Sequence, residues 1–126
     1  ESHLSPLLFS IPAVKSVSFG LGEKITELYG HEANDCYYYD DEKVKTKTNH
    51  NGGITGGISN GMPIIFRVGI KPTPSISQVQ QTVNIKTKEN TELEIIGRHD
   101  PCIVPRAVVV VESMAALGIL DMMKDI

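Results

Sequence analysis

Residues 45–75 constrain this chain most. Two glycine pairs, Gly52-Gly53 and Gly56-Gly57, are separated by hydroxyl and amide side chains and followed by an apolar run and by Lys71-Pro72-Thr73-Pro74-Ser75. Glycine takes up positive φ and lets a flat or anionic ligand approach main-chain N–H groups. Lys71, Thr73 and Ser75 bring one charge and two hydroxyls, a set suited to a phosphate. The stretch therefore reads as a binding loop. Each piece also has a plainer reading, since glycine pairs mark ordinary turns and Lys-Pro-Thr-Pro is often an exposed strand exit.

The 126 residues have the size of one domain, and a net charge of -3 without any Lys/Arg block gives no electrostatic reason to expect nucleic acid. A small anionic ligand remains open through local charge. No apolar run approaches the roughly 20 residues of a membrane span, and the polar start lacks a signal-peptide pattern, so a cytoplasmic location is expected. Cys36 and Cys102 suggest neither a disulfide framework nor a metal site and are expected to be free thiols. Glu1 is not a start methionine, and the first residues read as an element under way. A piece of a longer chain is expected.

In chain order, Leu4, Leu7, Leu8 and Ile11 predict a helix within residues 1–11, stopped by Pro12. Residues 14–19 predict a strand with Val17 and Phe19 on one face, closed by Gly20 and Gly22. Residues 23–29 suggest a short helix capped by Gly30, and the acid- and tyrosine-rich 31–42 a surface loop. Strands follow at 43–48 and 63–70, then a hairpin of 82–86 and 91–96 around Lys88, Glu89 and Asn90. Residues 104–126 predict a long, well-buried helix with Pro105 near its start and Val109, Met114, Leu117, Leu120 and Met123 on broadly one side. The sum is an α+β fold of antiparallel strands packed on helices, without repeats or a linker to divide it.

Between hairpin and last helix lies Arg98-His99-Asp100-Pro101-Cys102. Arginine can grip a phosphate or carboxylate in bidentate fashion, and an aspartate beside it can take a proton. An Arg/Asp pair before a helix is also commonly an ion pair with an N-cap. Together with residues 48–61 and Lys71-Pro72-Thr73-Pro74-Ser75-Ile76, this turn resembles chorismate synthase. Residues 10–15, Phe19-Gly20-Leu21-Gly22, Asn34-Asp35 and the stretch from Pro105-Arg106-Ala107 to Glu112 are similar to that family in the same order. Asn51 and His31 depart from the commoner small residues, outside the central pattern.

The resemblance implies a β-α-β sandwich fold, of which residues 1–126 would be the C-terminal portion of a single catalytic domain, the N-terminal portion being absent. It implies a carbon–oxygen lyase: reduced FMN supports a 1,4-anti elimination of phosphate from 5-enolpyruvylshikimate 3-phosphate, giving chorismate for aromatic amino acid biosynthesis without net oxidation. The reduced flavin would come from NADPH-dependent reduction or from elsewhere. At matching positions, Asp100 and Arg98 would be catalytic, with Asp100 near the flavin N5 region helping to remove the proton. Gly56, Lys71, Pro72, Thr73, Pro74, Ser75, Arg98 and Asn49 would hold the flavin. His99 would shape the turn, and Cys102 would pack at the helix entrance. No metal is implied, and a homotetramer is expected. Two rival readings, a noncatalytic flavin or phosphate module and a purely structural domain, would leave Arg98 and Asp100 without a purpose.

Overall fold

A computed structural model describes residues 1–124. In order these form α1 (Leu4–Phe9), β1 (Val14–Phe19), a 3-10 turn (Gly22–Glu27), α2 (Gly30–Ala33), β2 (Tyr37–Asp40), β3 (Lys43–Thr46), β4 (Ile54–Thr55), β5 (Ile58–Ser59), β6 (Phe66–Ile70), β7 (Gln80–Asn84), β8 (Glu89–Leu93) and α3 (Val104–Met123). The architecture is α+β with antiparallel pairing throughout, as expected. The strands form four separate pairs, β1–β6, β2–β3, β4–β5 and β7–β8.

The core begins with Leu4 and Leu8, one helical turn apart and both fully buried, joined by Ile11 and Val14. Helix α1 ends where the Ser10 hydroxyl closes on the Leu7 carbonyl at 2.6 Å and Pro12 has no N–H to continue. Strand β1 has the predicted span, and its register slips between Val14 and Ser16. That irregularity brings Val14, Val17 and Phe19 to the same core despite their uneven spacing. Opposite them, Phe66, Val68 and Ile70 of β6 alternate inward, with the Phe19 and Phe66 rings 5.9 Å apart.

Four local expectations change. Residues 22–27 form a 3-10 turn that buries nothing fully, so packing supplies too little to complete an α-helix, and Gly30 opens α2 instead of capping a helix. The 31–42 segment contains α2 and β2 as well as loop. Tyr37, Tyr38 and Tyr39 pair with Thr46, Lys45 and Val44, Asp41 turns the chain at φ 53, and Lys45 pairs with Asp40. The later hairpin sits two residues earlier than expected. Asn84 Oδ1 accepts from the N–H groups of Lys86 and Thr87 at 3.0 and 3.2 Å, so the turn precedes Glu89 and Asn90, which lie in β8.

Helix α3 starts with Pro105 in its first turn, as predicted, but is not well buried. Ala115 and Gly118 face inward, and a Cβ on Gly118 would stand 2.8 Å from a Leu4 methyl and 2.7 Å from one of Leu7. Val109, Leu117, Leu120 and Met123 are each more than half exposed. Among the described residues, α1 and the first strand pair cover one side of α3, and most of the predicted apolar side lies away from them. The last two positions of the predicted helix lie outside the described residues.

Two turns meet backbone to backbone at Gly20 and Gly52. Gly20 N–H donates to Ile65 O and Leu21 N–H to His50 O, each at 2.9 Å, while Ile65 N–H reaches Gly52 O at 3.0 Å. A Cβ on Gly20 would lie 1.9 Å from His50 O, at a φ of +55 that L side chains resist. Gly20→Ala is therefore expected to destabilise the fold by about 3 kcal/mol. Urea unfolding reads this as a lowered midpoint at unchanged slope.

Candidate functional site

The two glycine pairs do different work. Gly52 and Gly53 are buried, and a Cβ on either would strike backbone atoms of Gly20, Ile65, Met62 or Pro63 within 3 Å. Gly56 and Gly57, at φ 60 and 81, make the two-residue turn between β4 and β5, the positive-φ pair that tight hairpins require. Both are exposed, with nothing within 4 Å of an added Cβ. Main chain is thus open to a ligand at Gly56, and closed at Gly52.

The loop before them hangs on Asp35, which is 8% exposed. Its Oδ1 accepts from Thr48 Oγ1 and His50 N–H, both at 2.7 Å, and its Oδ2 accepts from the Asn51 N–H and the Asn51 amide, both at 3.0 Å. Burial pushes the Asp35 carboxyl up, but the bonds from Asn51, Thr48 and His50 outweigh it and hold the group below its ordinary value. Next to this clamp, Asn49 donates to Pro63 O at 2.9 Å, which ties the loop to the chain ahead of β6. Asn49 Oδ1 and His50 Nδ1 are buried without a partner.

The remaining site residues fall in two segments that meet. Lys71 N–H donates to Ala13 O at 2.7 Å, fixing the exit from β6, and the Lys71 side chain is exposed. Pro72 and Pro74 are exposed, Thr73 Oγ1 is buried without a partner, and Ser75 is half-buried. Ser75 Oγ lies 3.0 Å from His99 Nδ1, joining residues 71–75 to the turn with Arg98 and Asp100. Asp100 is held by Arg106, at 3.0 Å from Nη1 and 3.3 Å from Nη2, rather than by Arg98. No side chain caps α3, and Arg98 is exposed. Cys102 is exposed as well, which corrects the packing role expected for it, and both cysteines are free thiols. Among the described residues, no hydrogen bond or ion pair joins Gly56 or Asn49 to either segment.

Sequence reasoning passed over Asp35 and Arg106 as site residues and gave His99 only the shape of its turn. Arg106, six residues after Asp100 in the first turn of α3, was within reach of a helical reading. Asp35 was hidden among other acids. Thr73 Oγ1, the Lys71 cation and the Ser75 hydroxyl form a donor set suited to a phosphate-bearing ligand, and the open turn at Gly56 stands apart from them.

The sequence model described as chorismate synthase matches residues 1–124. The chain belongs to the chorismate synthase family. It is 55% identical over 124 residues to the chorismate synthase of Methanocaldococcus jannaschii, covering 98% of this chain and 33% of that protein. It is 52% identical over 122 residues to that of Dehalococcoides mccartyi strain 195, covering 97% and 34%. A crystal structure of chorismate synthase superposes with a TM-score of 0.68 at 29% identity, over 93% of this chain and 27% of that one. The chorismate synthase fold is thereby shared, and the chain spans about a third of the length of these relatives. No helix among the described residues is long and apolar enough to cross a membrane.

The Asp35 clamp has a pH signature. Its stabilisation is fully present above the ordinary carboxyl range near pH ~4 and is lost as pH falls through the lower folded value. Asp35→Asn is expected to cost about 2 kcal/mol at pH 7, because an amide would turn N–H groups on the loop's donors. The gap to the unmodified protein should narrow under acid, as measured by denaturation at pH 7 and pH 3. A gap independent of pH would remove the clamp from the account.

Proposed function

We propose that this chain is the C-terminal portion of a single catalytic domain, and that the whole protein is a chorismate synthase, a lyase eliminating phosphate from 5-enolpyruvylshikimate 3-phosphate. The observation that carries the reading is the family match over residues 1–124, with the site motifs in order along it. The sparse core supports the first part. Among the described residues six apolar side chains are buried, while much of α3 and the β7–β8 hairpin faces outward with Val83, Leu93, Leu117 and Leu120 more than half exposed. Those faces also suit the homotetramer we assign, in the cytoplasm.

Reduced FMN is the cofactor of this reading. The residues present fit it: Thr73 Oγ1 is buried and unpartnered, and Gly56 leaves its main chain open. When bound, the flavin supplies electron density to the breaking carbon–oxygen bond and regains it, so no net oxidation follows. Lys71, Thr73 and Ser75 hold its phosphate by charge and hydroxyl donation, and Pro72 and Pro74 stiffen that segment. Gly56 gives the ligand close access to backbone, and Asn49 keeps the loop oriented. The Arg98 guanidinium takes the anionic groups of flavin and substrate.

Asp100 holds the proton that leaves the ring, on a carboxylate oxygen whose plane Arg106 sets through its two contacts. Closing the site removes water and strengthens the hold of Arg98 on the departing phosphate. The source of reduced flavin, NADPH or an external donor, is a separate step.

The test is anaerobic: full-length protein, reduced FMN and 5-enolpyruvylshikimate 3-phosphate, with chorismate followed by absorbance. Chorismate is expected, and none from folded, FMN-loaded protein would overturn the reading. In the same assay Asp100→Asn should lower kcat by about 10²- to 10⁴-fold with FMN retained. Residues 1–126 alone should bind FMN more weakly than micromolar, since the chain spans about a third of its relatives' length and much of the proposed lining belongs to the rest. Equilibrium dialysis checks this.

A further inference from the structure

The Ser75–His99 contact has a direction that the third partner determines. His99 Nε2 lies 2.9 Å from the Ile95 carbonyl oxygen, which can only accept, so Nε2 carries hydrogen. In the neutral ring Nδ1 is then bare, and at 3.0 Å it accepts the Ser75 hydroxyl proton. Ser75 in that state shows only lone pairs to any further neighbour. In the imidazolium both ring nitrogens donate, Ser75 accepts from Nδ1, and its own proton is free to turn outward. An anionic phosphate oxygen repels the first arrangement and is hydrogen-bonded by the second.

We propose that His99 is a positioning residue that sets the direction of the Ser75 hydroxyl, and that seating a phosphate group on residues 71–75 takes up a proton on its imidazole. This rests on the phosphate role assigned to that segment above. The charged groups of the segments meeting here are Lys71, Glu94 beside Ile95, Arg98, and Asp100 with its partner Arg106. These charges persist in either ring state, so the charge that changes the balance is the arriving phosphate, which favours the imidazolium. Linkage is reciprocal: phosphate raises proton affinity, and protonation raises phosphate affinity.

The experiment is calorimetric titration of the full-length protein with FMN and with riboflavin, near pH 7, in two buffers of different ionisation enthalpy. FMN is expected to take up more protons than riboflavin. His99→Asn, which can still bond Ser75 but does not titrate, should remove up to one proton from the FMN value. FMN brings its own titrating phosphate, so the difference between variants is the quantity that decides. An undiminished proton count in a folded His99→Asn protein overturns the proposal. Should that variant fail to fold, Ser75→Ala keeps the imidazole and cuts its link, and must lower the count in the same sense. If Lys71→Ala and Ser75→Ala leave FMN affinity within twofold and riboflavin binds equally well, the phosphate role of 71–75 falls, and this proposal with it. If both weaken FMN binding by tenfold or more while the proton count stays put, only the His99 proposal falls.

Discussion

The Asp35 carboxylate gathers four donors from residues 48–51, and the geometry of the glycine loop follows from that gathering. Thr48, His50 and Asn51, in an irregular segment, cannot satisfy their N–H and hydroxyl groups on one another, and a buried loop with unpaired donors would be costly. One ionised side chain with four acceptor sites resolves the problem at a single point. Once His50 and Asn51 are held there, the His50 carbonyl points at Leu21 and leaves room for nothing larger than hydrogen on Gly20. The loop thus touches β1 and β6 through main chain alone, and the hairpin carrying Gly56 projects from a fixed base. Rigidity at Gly52 and openness at Gly56 are two ends of one construction.

Local pattern carried much of this fold. Strand β1 was legible to the residue, because its alternation ends at glycines that the turn needs at positive φ. What pattern could not carry was partnership. The β1–β6 pairing joins residues some fifty positions apart, and nothing in either strand names the other. Asp35 illustrates the same limit in the site. It stands among Glu32, Asp40, Asp41 and Glu42, so composition made the whole stretch a solvated loop, and only the fold shows that one acid of the group is buried. The tyrosines beside it had strand propensity, masked by the acids on either side. For α3 the period was right and the burial wrong. An apolar stripe says that a face avoids water, not which surface covers it.

That uncovered stripe bears on stability. Among the described residues Leu4, Leu8, Ile11, Val14, Ile54 and Ala115 are the buried apolar set, and Gly118 allows α1 to approach α3. Such a core is small for the chain's length, and the exposed valines and leucines of α3 have far more apolar area than one free helix face needs. The match to a third of each relative's length explains the imbalance under the proposed assignment, since a domain cut along its packing leaves half-interfaces.

Charge distribution resolves a last apparent conflict, between a net charge of -3 and a site proposed for phosphates. Net charge acts over the whole surface, whereas a bound anion responds to groups within about one Debye length, ~8 Å in physiological salt. Two acids of the site motifs are already engaged. Asp35 is saturated by hydrogen bonds, and Asp100 faces Arg106. Lys71 and Arg98, by contrast, have no ion-pair partner among the described residues. With those two acids satisfied internally, Lys71 and Arg98 stay available to an anion whatever the total. A hydroxyl such as Ser75 then matters through the direction of its proton, and that direction is decided by an imidazole rather than by the net charge.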